Sequence, residues 1–121
     1  MNNQTVNFNF AQFTGRIIRK QELAILNDDR KVLTVTLTVR SKAYDAEGEV
    51  YRRTDFPQVV FYGEDAAVVD SLPLESTVSI DARFQTRSYT DKKGMERYVS
   101  EFVALSLNEY LMADPNAWKR A

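Results

Sequence analysis

The 121-residue sequence predicts an all-β domain with one short helix, and three observations support this prediction. Apolar residues make up 44% of the chain, which is enough for a hydrophobic core in one domain of ordinary size. The strongest hydrophobic periodicity is two residues, as in a strand with one buried face, rather than the period of about 3.6 that marks a helix. Only the stretch at residues 63–73 is typical of a helix.

The N-terminal third of the chain predicts two strands. Residues 13–19 and 23–26 form the first, which is interrupted near Lys20. Asn27-Asp28-Asp29 then supplies turn residues. Residues 32–40, VLTVTLTVR, predict the second strand, because β-branched and apolar residues alternate there with threonines.

Three more strands are predicted in the rest of the chain. They cover residues 55–62 (DFPQVVFY), 77–86 and 97–107. In the fourth strand, the side chains predicted to face the core are Val78, Ile80, Ala82 and Phe84. In the fifth strand, the apolar side chains in phase are Val99, Val103, Leu105 and Leu107.

The stretch GEDAAVVDSLP at residues 63–73 predicts a helix of two to three turns. Two acids suit its first turn, where the helix dipole favours negative charge, and Pro73 ends it. The order is therefore β-β-β-α-β-β, which is the order of a five-stranded OB-fold barrel. We predict one OB-fold domain at residues 5–108 and a short tail at residues 109–121.

The sequence contains no cysteine and no histidine. The first absence removes disulfides, thiol nucleophiles and thiolate metal ligands, and the second removes the commonest general base and neutral metal ligand. The acids do not follow a calcium-loop pattern, and no phosphate-binding glycine motif occurs. We therefore predict that the protein is not an enzyme and uses no metal or cofactor.

Charge is distributed unevenly along the chain, although the net charge is only −1. Residues 64–81 contain five acids and no cation, so the remaining residues carry a net charge of +4. Residues 83–100 contain five cations against two acids. This pattern predicts one acidic side and one mildly basic side, and a basic stripe can bind phosphates even when net charge is near zero.

Two stretches carry the most specific motifs. TDFPQVVFYG at Thr54–Gly63 resembles the Thr-Glu-Trp-His-x-Val-Val-x-Phe-Gly strand of the bacterial single-stranded DNA-binding protein family. TRSYTDKKGMERY at Thr86–Tyr98 resembles that family's Thr-Arg-x-Trp-Thr-Asp-x-x-Gly-x-x-Arg-Tyr hairpin. Weaker matches lie at residues 13–15 and 35–38, and the resemblance as a whole covers residues 6–107.

The resemblance implies a protein that binds single-stranded DNA, but the aromatic residues differ from the family's pattern. Tyr44, Phe56 and Tyr89 stand where the family has tryptophans, and Tyr62 replaces its phenylalanine before the glycine. The sequence also shows neither the family's glycine-rich linker nor its acidic C-terminal tip. We therefore expect a short divergent member from a phage, plasmid or other mobile element, or a trimmed paralogue.

Binding of single strands without sequence readout needs flat aromatic faces for the bases and cations for the phosphates. Phe56 and Tyr62 are six residues apart, so a continuous strand presents them on the same side. Tyr89 is in phase with arginines rather than with core residues. The stacking candidates are Tyr44, Phe56, Tyr62 and Tyr89. The candidate phosphate contacts are Arg40, Lys42, Arg52, Arg53, Arg87, Lys92, Lys93 and Arg97. The alternatives are a core position for Phe56 and solvated surface positions for the other residues.

The N-terminal segment TVNFNFAQF, residues 5–13, predicts an apolar edge strand. Its alternation breaks before Phe13, which predicts a bulge near Ala11 and Gln12. An unpaired apolar edge is an aggregation hazard, so we expect a second protomer to cover it. The resemblance implies a homotetramer, and a dimer also fits. Trp118, the only tryptophan, lies in the predicted tail and is not assigned to the DNA site.

Two functions of different classes remain open at this stage. The first is a single-stranded DNA-binding protein of DNA replication, recombination, repair or mobile-element transfer, with replication proteins as further partners. We expect it in the cytoplasm, at the nucleoid, because the chain has no secretory signal and no apolar run of roughly 18 residues. The second is an OB-fold adaptor of a replication complex with weak DNA affinity, which the near-zero net charge and the missing family tryptophans favour.

Overall fold

The computed structural model describes residues 7–114 of the chain. Its strands and helix are β1 (Ala11–Lys20), β2 (Ala24–Ile25), β3 (Lys31–Tyr44), β4 (Val50–Asp55), β5 (Gln58–Tyr62), α1 (Gly63–Ser71), β6 (Thr77–Thr90) and β7 (Glu96–Leu111). β1 pairs with β6, β6 with β7, β7 with β5, β5 with β3, and β3 with β1, so the sheet closes. Only the β5–β7 pair in this ring is parallel. The predicted five-stranded OB-fold barrel with one short helix is confirmed.

Strand β1 closes the barrel because it pairs with two neighbours in succession. Residues 11–16 pair with β6, and residues 16–20 pair with β3. Gly15 lies at this crossover, where a Cβ atom would stand 2.8 Å from the carbonyl oxygen of Thr38. A glycine is needed here because the two backbones approach too closely for any side chain.

The bulge of β1 is not where the sequence predicts it. Ala11 and Gln12 pair with β6 in an uninterrupted register, so the predicted bulge near them is wrong. The register shifts instead between Ile17 and Arg19, in the half of the strand that pairs with β3. The alternation in the sequence breaks where the chain enters the sheet, and Val6 lies outside the described residues.

The barrel interior is filled by alternating apolar side chains. The fully buried strand residues are Ile17, Leu33, Val35, Leu37, Val59, Phe61, Val78, Ile80 and Ala82. Helix α1 packs against β3 and β5 and adds Ala66 and Val69 to this core. Lys20 holds the end of the helix segment, because its Nζ donates to the carbonyl oxygens of Asp70 and Leu72 at 2.9 and 2.7 Å. The described helix is not long and apolar enough to cross a membrane.

The third predicted strand is interrupted near Pro57, which has no N–H to donate to a ladder. β4 and β5 lie on either side of the interruption. The register with β3 is nevertheless kept, because Val39 pairs with Asp55 and Thr36 pairs with Gln58, with two residues between the pairs on each strand. The inward and outward alternation therefore continues across the break.

Strands β6 and β7 are longer than predicted and continue beyond the barrel as a hairpin. The end predicted for the fifth strand at Leu107 is wrong, because residues 109–111 still pair with β6. Leu105 is exposed rather than in the core. Asp81 pairs with Ser106, and the next residue, Ala82, pairs with Ala104. Leu105 therefore has no partner on β6 and is the extra residue of a β-bulge, which interrupts the inward and outward alternation of β7.

Phe84 also departs from its predicted core position. It lies past the point where β1 stops pairing with β6, and it is exposed. Its ring contacts Phe102 edge-on at a centroid distance of 5.6 Å, and Phe102 contacts Phe13 at 4.8 Å. The side-chain amide of Asn9 pairs with the backbone N–H and carbonyl of Phe84, so it continues the β1–β6 edge.

Candidate nucleic-acid interface

Two hairpins project from the barrel and carry most of the predicted site residues. One is the β3–β4 hairpin and the other the β6–β7 hairpin. Their turns are built alike: the Oδ1 atoms of Asp45 and Asp91 each accept hydrogen bonds from the backbone N–H groups two and four residues later. Gly48 and Gly94 each have a φ of +80°, which glycine adopts at little cost. Both tips are therefore held by the same side-chain turn.

The two tips differ in charge. The β3–β4 tip carries three acids, Asp45, Glu47 and Glu49, and no cation between them. The equivalent residues of the β6–β7 tip are one acid, Asp91, and two cations, Lys92 and Lys93. The tip of the second hairpin is therefore slightly basic, and the tip of the first is acidic.

The stem of the β3–β4 hairpin is basic although its tip is acidic. Arg40 and Lys42 alternate on one face of β3, and Arg52 lies directly opposite Lys42, so the three cations share that face. Arg53 points to the other face, where its Nε lies 3.0 Å from Asp55. This hydrogen bond raises the pKa of Arg53 above its usual value. A hollow of about 660 Å³ lies along the stem, between the cations.

In the β6–β7 hairpin, two of the predicted cations have carboxylate partners. The Nε of Arg87 lies 2.6 Å from Oε1 of Glu101, and this hydrogen bond raises the pKa of Arg87. The Nε of Arg97 lies 2.9 Å from Oδ2 of Asp91, and this hydrogen bond lowers the pKa of Asp91. Three of the eight predicted phosphate contacts, Arg53, Arg87 and Arg97, are thus already ion-paired.

The remaining five cations form no ion pair with any residue in the described range 7–114. They are Arg40, Lys42, Arg52, Lys92 and Lys93. An unpaired surface cation can neutralise a phosphate without first giving up a carboxylate. These five are therefore the strongest candidates for contacts to a polyanion.

All four predicted stacking residues reach solvent. Their exposed fractions are 71% for Tyr44, 61% for Phe56, 47% for Tyr89 and 37% for Tyr62. The alternative interpretation, a core position for Phe56, is therefore wrong. Val59 and Phe61 are fully buried, as their opposite phase to Tyr62 predicts.

The structure divides the predicted residues into three groups. The first is the basic stem of the β3–β4 hairpin. The second surrounds Phe56, which lines a hollow of about 520 Å³ with Phe13, Val39 and Phe102 near the base of that hairpin. The third lies on the outer face of β6–β7, where Tyr89 follows Arg87 with the alternation of the strand. Tyr62, at the end of β5, belongs to none of the three groups by a direct contact among the described residues.

Sequence reasoning missed several residues beside the predicted ones. Arg30 lies over the ring of Tyr62, with its Cζ 5.2 Å from the ring centroid, so one face of this platform already has a cationic neighbour. Tyr51 and Tyr98 are exposed on the opposite hairpin faces from Tyr44 and Tyr89. The alternation of side chains along each strand is enough to place Tyr51 and Tyr98 from the sequence. The position of Arg30 over Tyr62, in contrast, depends on the fold.

The arrangement is suited to binding rather than to catalysis. Exposed rings and unpaired cations lie on the same projecting hairpins, which is the combination that a single strand of nucleic acid requires. Within residues 7–114, no group of acids is placed to hold a metal ion.

Comparisons with known proteins agree in sequence and in fold. The profile of the family described as "Single-strand binding protein family" matches residues 8–110. The chain is 36% identical over 100 residues to "Single-stranded DNA-binding protein 2" of Staphylococcus aureus (strain COL), a match that covers 82% of this chain and 70% of that protein. It is 35% identical over 94 residues to "Single-stranded DNA-binding protein 1" of strain MSSA476, covering 77% of this chain and 59% of that protein.

A solved structure shows the same barrel. The structure described as "Plasmodium falciparum SSB complex with ssDNA" superposes with a TM-score of 0.67, covering 94% of this chain and 100% of that one, at 24% identity. At this level of identity the likeness concerns the fold alone. The match to the Staphylococcus aureus strain MSSA476 protein spans only 59% of that protein's length.

Proposed function

The chain belongs to the single-strand binding protein family, and from this premise we propose that it binds single-stranded DNA largely without sequence specificity. One observation carries the proposal: exposed aromatic rings and unpaired cations lie together on two projecting hairpins of an OB-fold barrel. The proposed contacts are base stacking and phosphate neutralisation. The family's members are non-enzymatic DNA-binding proteins.

The stacking part of the proposal uses Tyr44, Phe56, Tyr62 and Tyr89. Each base stacked on an aromatic ring contributes roughly 1–3 kcal/mol, and any base can stack because every base has a π-face. Four platforms are therefore enough for useful affinity without recognition of sequence. The phosphate part uses the five unpaired cations first and the three ion-paired arginines second.

The wider role that we propose follows the family. The protein coats or protects single-stranded DNA in replication, recombination, repair or transfer of a mobile element, at the nucleoid in the cytoplasm. It acts as a homo-oligomer, either a tetramer or a dimer. Replication proteins are its further partners. The exposed rings of Phe8 and Phe10 support the oligomer, because association would remove them from water.

A titration of labelled oligo(dT) at several salt concentrations tests the binding. We expect tight binding at low salt and a slope of log K against log salt of about −3 to −4, since each phosphate contact to a single strand contributes about −0.7. An oligo(dA) or mixed-sequence strand should bind within about tenfold of oligo(dT), because stacking is tolerant of sequence. Absence of binding at low salt, or binding that ignores salt, would contradict the proposal.

Two matched variants assign the phosphate contacts. Lys42→Gln removes an unpaired cation from one face of the β3–β4 stem, and Arg53→Gln removes an ion-paired cation from the other face. We expect Lys42→Gln to reduce the salt slope by about 0.7 and Arg53→Gln to reduce it by less. Equal effects would show that ion pairing within the protein does not decide which cations meet the phosphates.

A further inference from the structure

Glu101 is a buried acid on the outer face of the β6–β7 pair, because the core side of β7 is formed by Phe102 and Ala104. It lies in β7, in the same phase as Val99 and Val103, and only 2% of its surface is exposed. Its Oε1 accepts hydrogen bonds from the Nε of Arg87 at 2.6 Å and the Nε2 of Gln85 at 3.0 Å. Its Oε2 is buried and has no hydrogen-bond partner among the described residues.

This arrangement is a poor source of stability. A buried carboxylate loses its hydration, and one ion pair with a half-exposed arginine repays only part of that loss. A buried oxygen without a partner adds a further penalty. A neutral or apolar residue at this position of the strand therefore fits the fold at least as well, which indicates that the carboxylate serves the outer face of the hairpin.

The geometry shows what the carboxylate does to Arg87. The guanidinium is held through its Nε, and its two terminal Nη groups form no hydrogen bond with any described residue. Half of the Arg87 side chain is exposed. Tyr89 follows two residues later on the same face, so the free end of the guanidinium lies beside a stacking platform.

We propose that Glu101 is a positioning residue of the DNA interface, which holds Arg87 so that its terminal Nη groups face the phosphate next to a base stacked on Tyr89. A planar guanidinium can bind a phosphate through two parallel hydrogen bonds, but only if its orientation is held. The buried carboxylate supplies that orientation from the neighbouring strand, on the same face of the sheet. This inference rests on the proposed binding of single-stranded DNA.

Glu101→Gln tests the inference, because glutamine keeps the size of the side chain and removes the charge that holds Arg87. The matched control is Glu96→Gln, which removes one negative charge from the exposed part of the same strand. The one side-chain hydrogen bond of Glu96 among the described residues comes from the hydroxyl of Tyr98 at 3.4 Å. The probe is labelled oligo(dT) at fixed low salt. We expect Glu101→Gln to weaken binding about tenfold, the effect of losing one charge-assisted hydrogen bond. Glu96→Gln should leave binding unchanged or slightly tighter.

A double-mutant cycle with Arg87→Gln separates positioning from a general structural effect. If Glu101 acts through Arg87, the double variant binds about as well as Arg87→Gln alone. Multiplicative losses would overturn the inference, as would Glu101→Gln binding like Glu96→Gln or binding more tightly than the wild type. The last result would mean that Glu101 masks Arg87 instead of positioning it.

Arg87→Lys keeps the inference testable if Glu101→Gln does not fold. Lysine keeps the charge at this half-exposed position, but its single Nζ replaces both the Nε that Glu101 holds and the pair of Nη groups. We expect it to bind oligo(dT) about as weakly as Arg87→Gln, and wild-type affinity of Arg87→Lys would overturn the inference. Failure of the wild-type protein to bind oligo(dT) contradicts the proposed function itself, and so is distinguished from failure of the positioning role alone.

Discussion

At the scale of single residues, parity along a strand decides which aromatic rings can serve one surface. Tyr89 lies opposite Arg97, and Tyr98 lies opposite Ser88, so these two tyrosines occupy different faces of the β6–β7 hairpin. Both are exposed, and exposure alone therefore does not distinguish them. The face that holds Tyr89 also holds Arg87 and Glu101, which makes it the face that we assign to DNA.

This assignment predicts different effects for two identical substitutions. Tyr89→Ala should weaken binding of labelled oligo(dT) by roughly 1–3 kcal/mol, because it removes a stacking platform. Tyr98→Ala removes an equally large ring from the opposite face of the same hairpin and should change affinity by much less. Similar losses in the two variants would place DNA on both faces and contradict the assignment. Thermal unfolding of both variants controls for damage to the hairpin.

At the scale of secondary-structure elements, the closure of the barrel depends on β1. This strand leaves β6 and joins β3 within ten residues, and Gly15 stands at the crossover. A Cβ atom at Gly15 meets a backbone carbonyl at 2.8 Å, and a backbone atom cannot turn aside as a flexible side chain can. The fold therefore depends on the absence of a side chain at this one position.

Gly15→Ala should lower the free energy of unfolding by about 1–3 kcal/mol, the usual cost of overpacking a tight site. Chemical denaturation measures this change. The control is Gly48→Asn at the tip of the β3–β4 hairpin, where a Cβ atom meets nothing within 4 Å and asparagine tolerates the positive φ. The control should lose less stability than Gly15→Ala. An unchanged stability of Gly15→Ala would mean that β1 and β3 can separate without cost.

At the scale of the whole molecule, charge is sorted into regions. The acidic run at residues 64–81 begins in α1, and a second acidic group occupies the β3–β4 tip. The unpaired cations lie on the stem of that hairpin and on the β6–β7 tip. A chain with a net charge of −1 can thus present a basic path to DNA, because its acids are concentrated elsewhere.

This arrangement predicts where added positive charge matters. The double variant Glu47→Gln/Glu49→Gln should bind oligo(dT) more tightly at low salt, because it removes repulsion beside the basic stem, and the gain should disappear at high salt. The control, Glu64→Gln/Asp70→Asn, makes the same change of net charge on α1. It should have a smaller effect on affinity. Equal gains would mean that net charge, and not its distribution, governs binding.

Much of this protein could be predicted from local patterns in the chain. Period-two alternation identified five strands, the GEDAAVVDSLP stretch identified the helix, and the order of these elements identified the barrel. These features are local, because they depend on which side chains follow one another and on what each backbone tolerates.

Features that depend on strand pairing required the tertiary structure. The bulges at Ile18 and Leu105 are properties of two strands together, so no single strand reveals them. The partition of the cations into paired and unpaired residues depends in the same way on neighbours distant in sequence. Arg87 and Glu101 are fourteen residues apart and meet only because β6 and β7 pair in this register. Sequence alternation therefore established the barrel and its aromatic surface, whereas strand register decided which charges remain free to bind DNA.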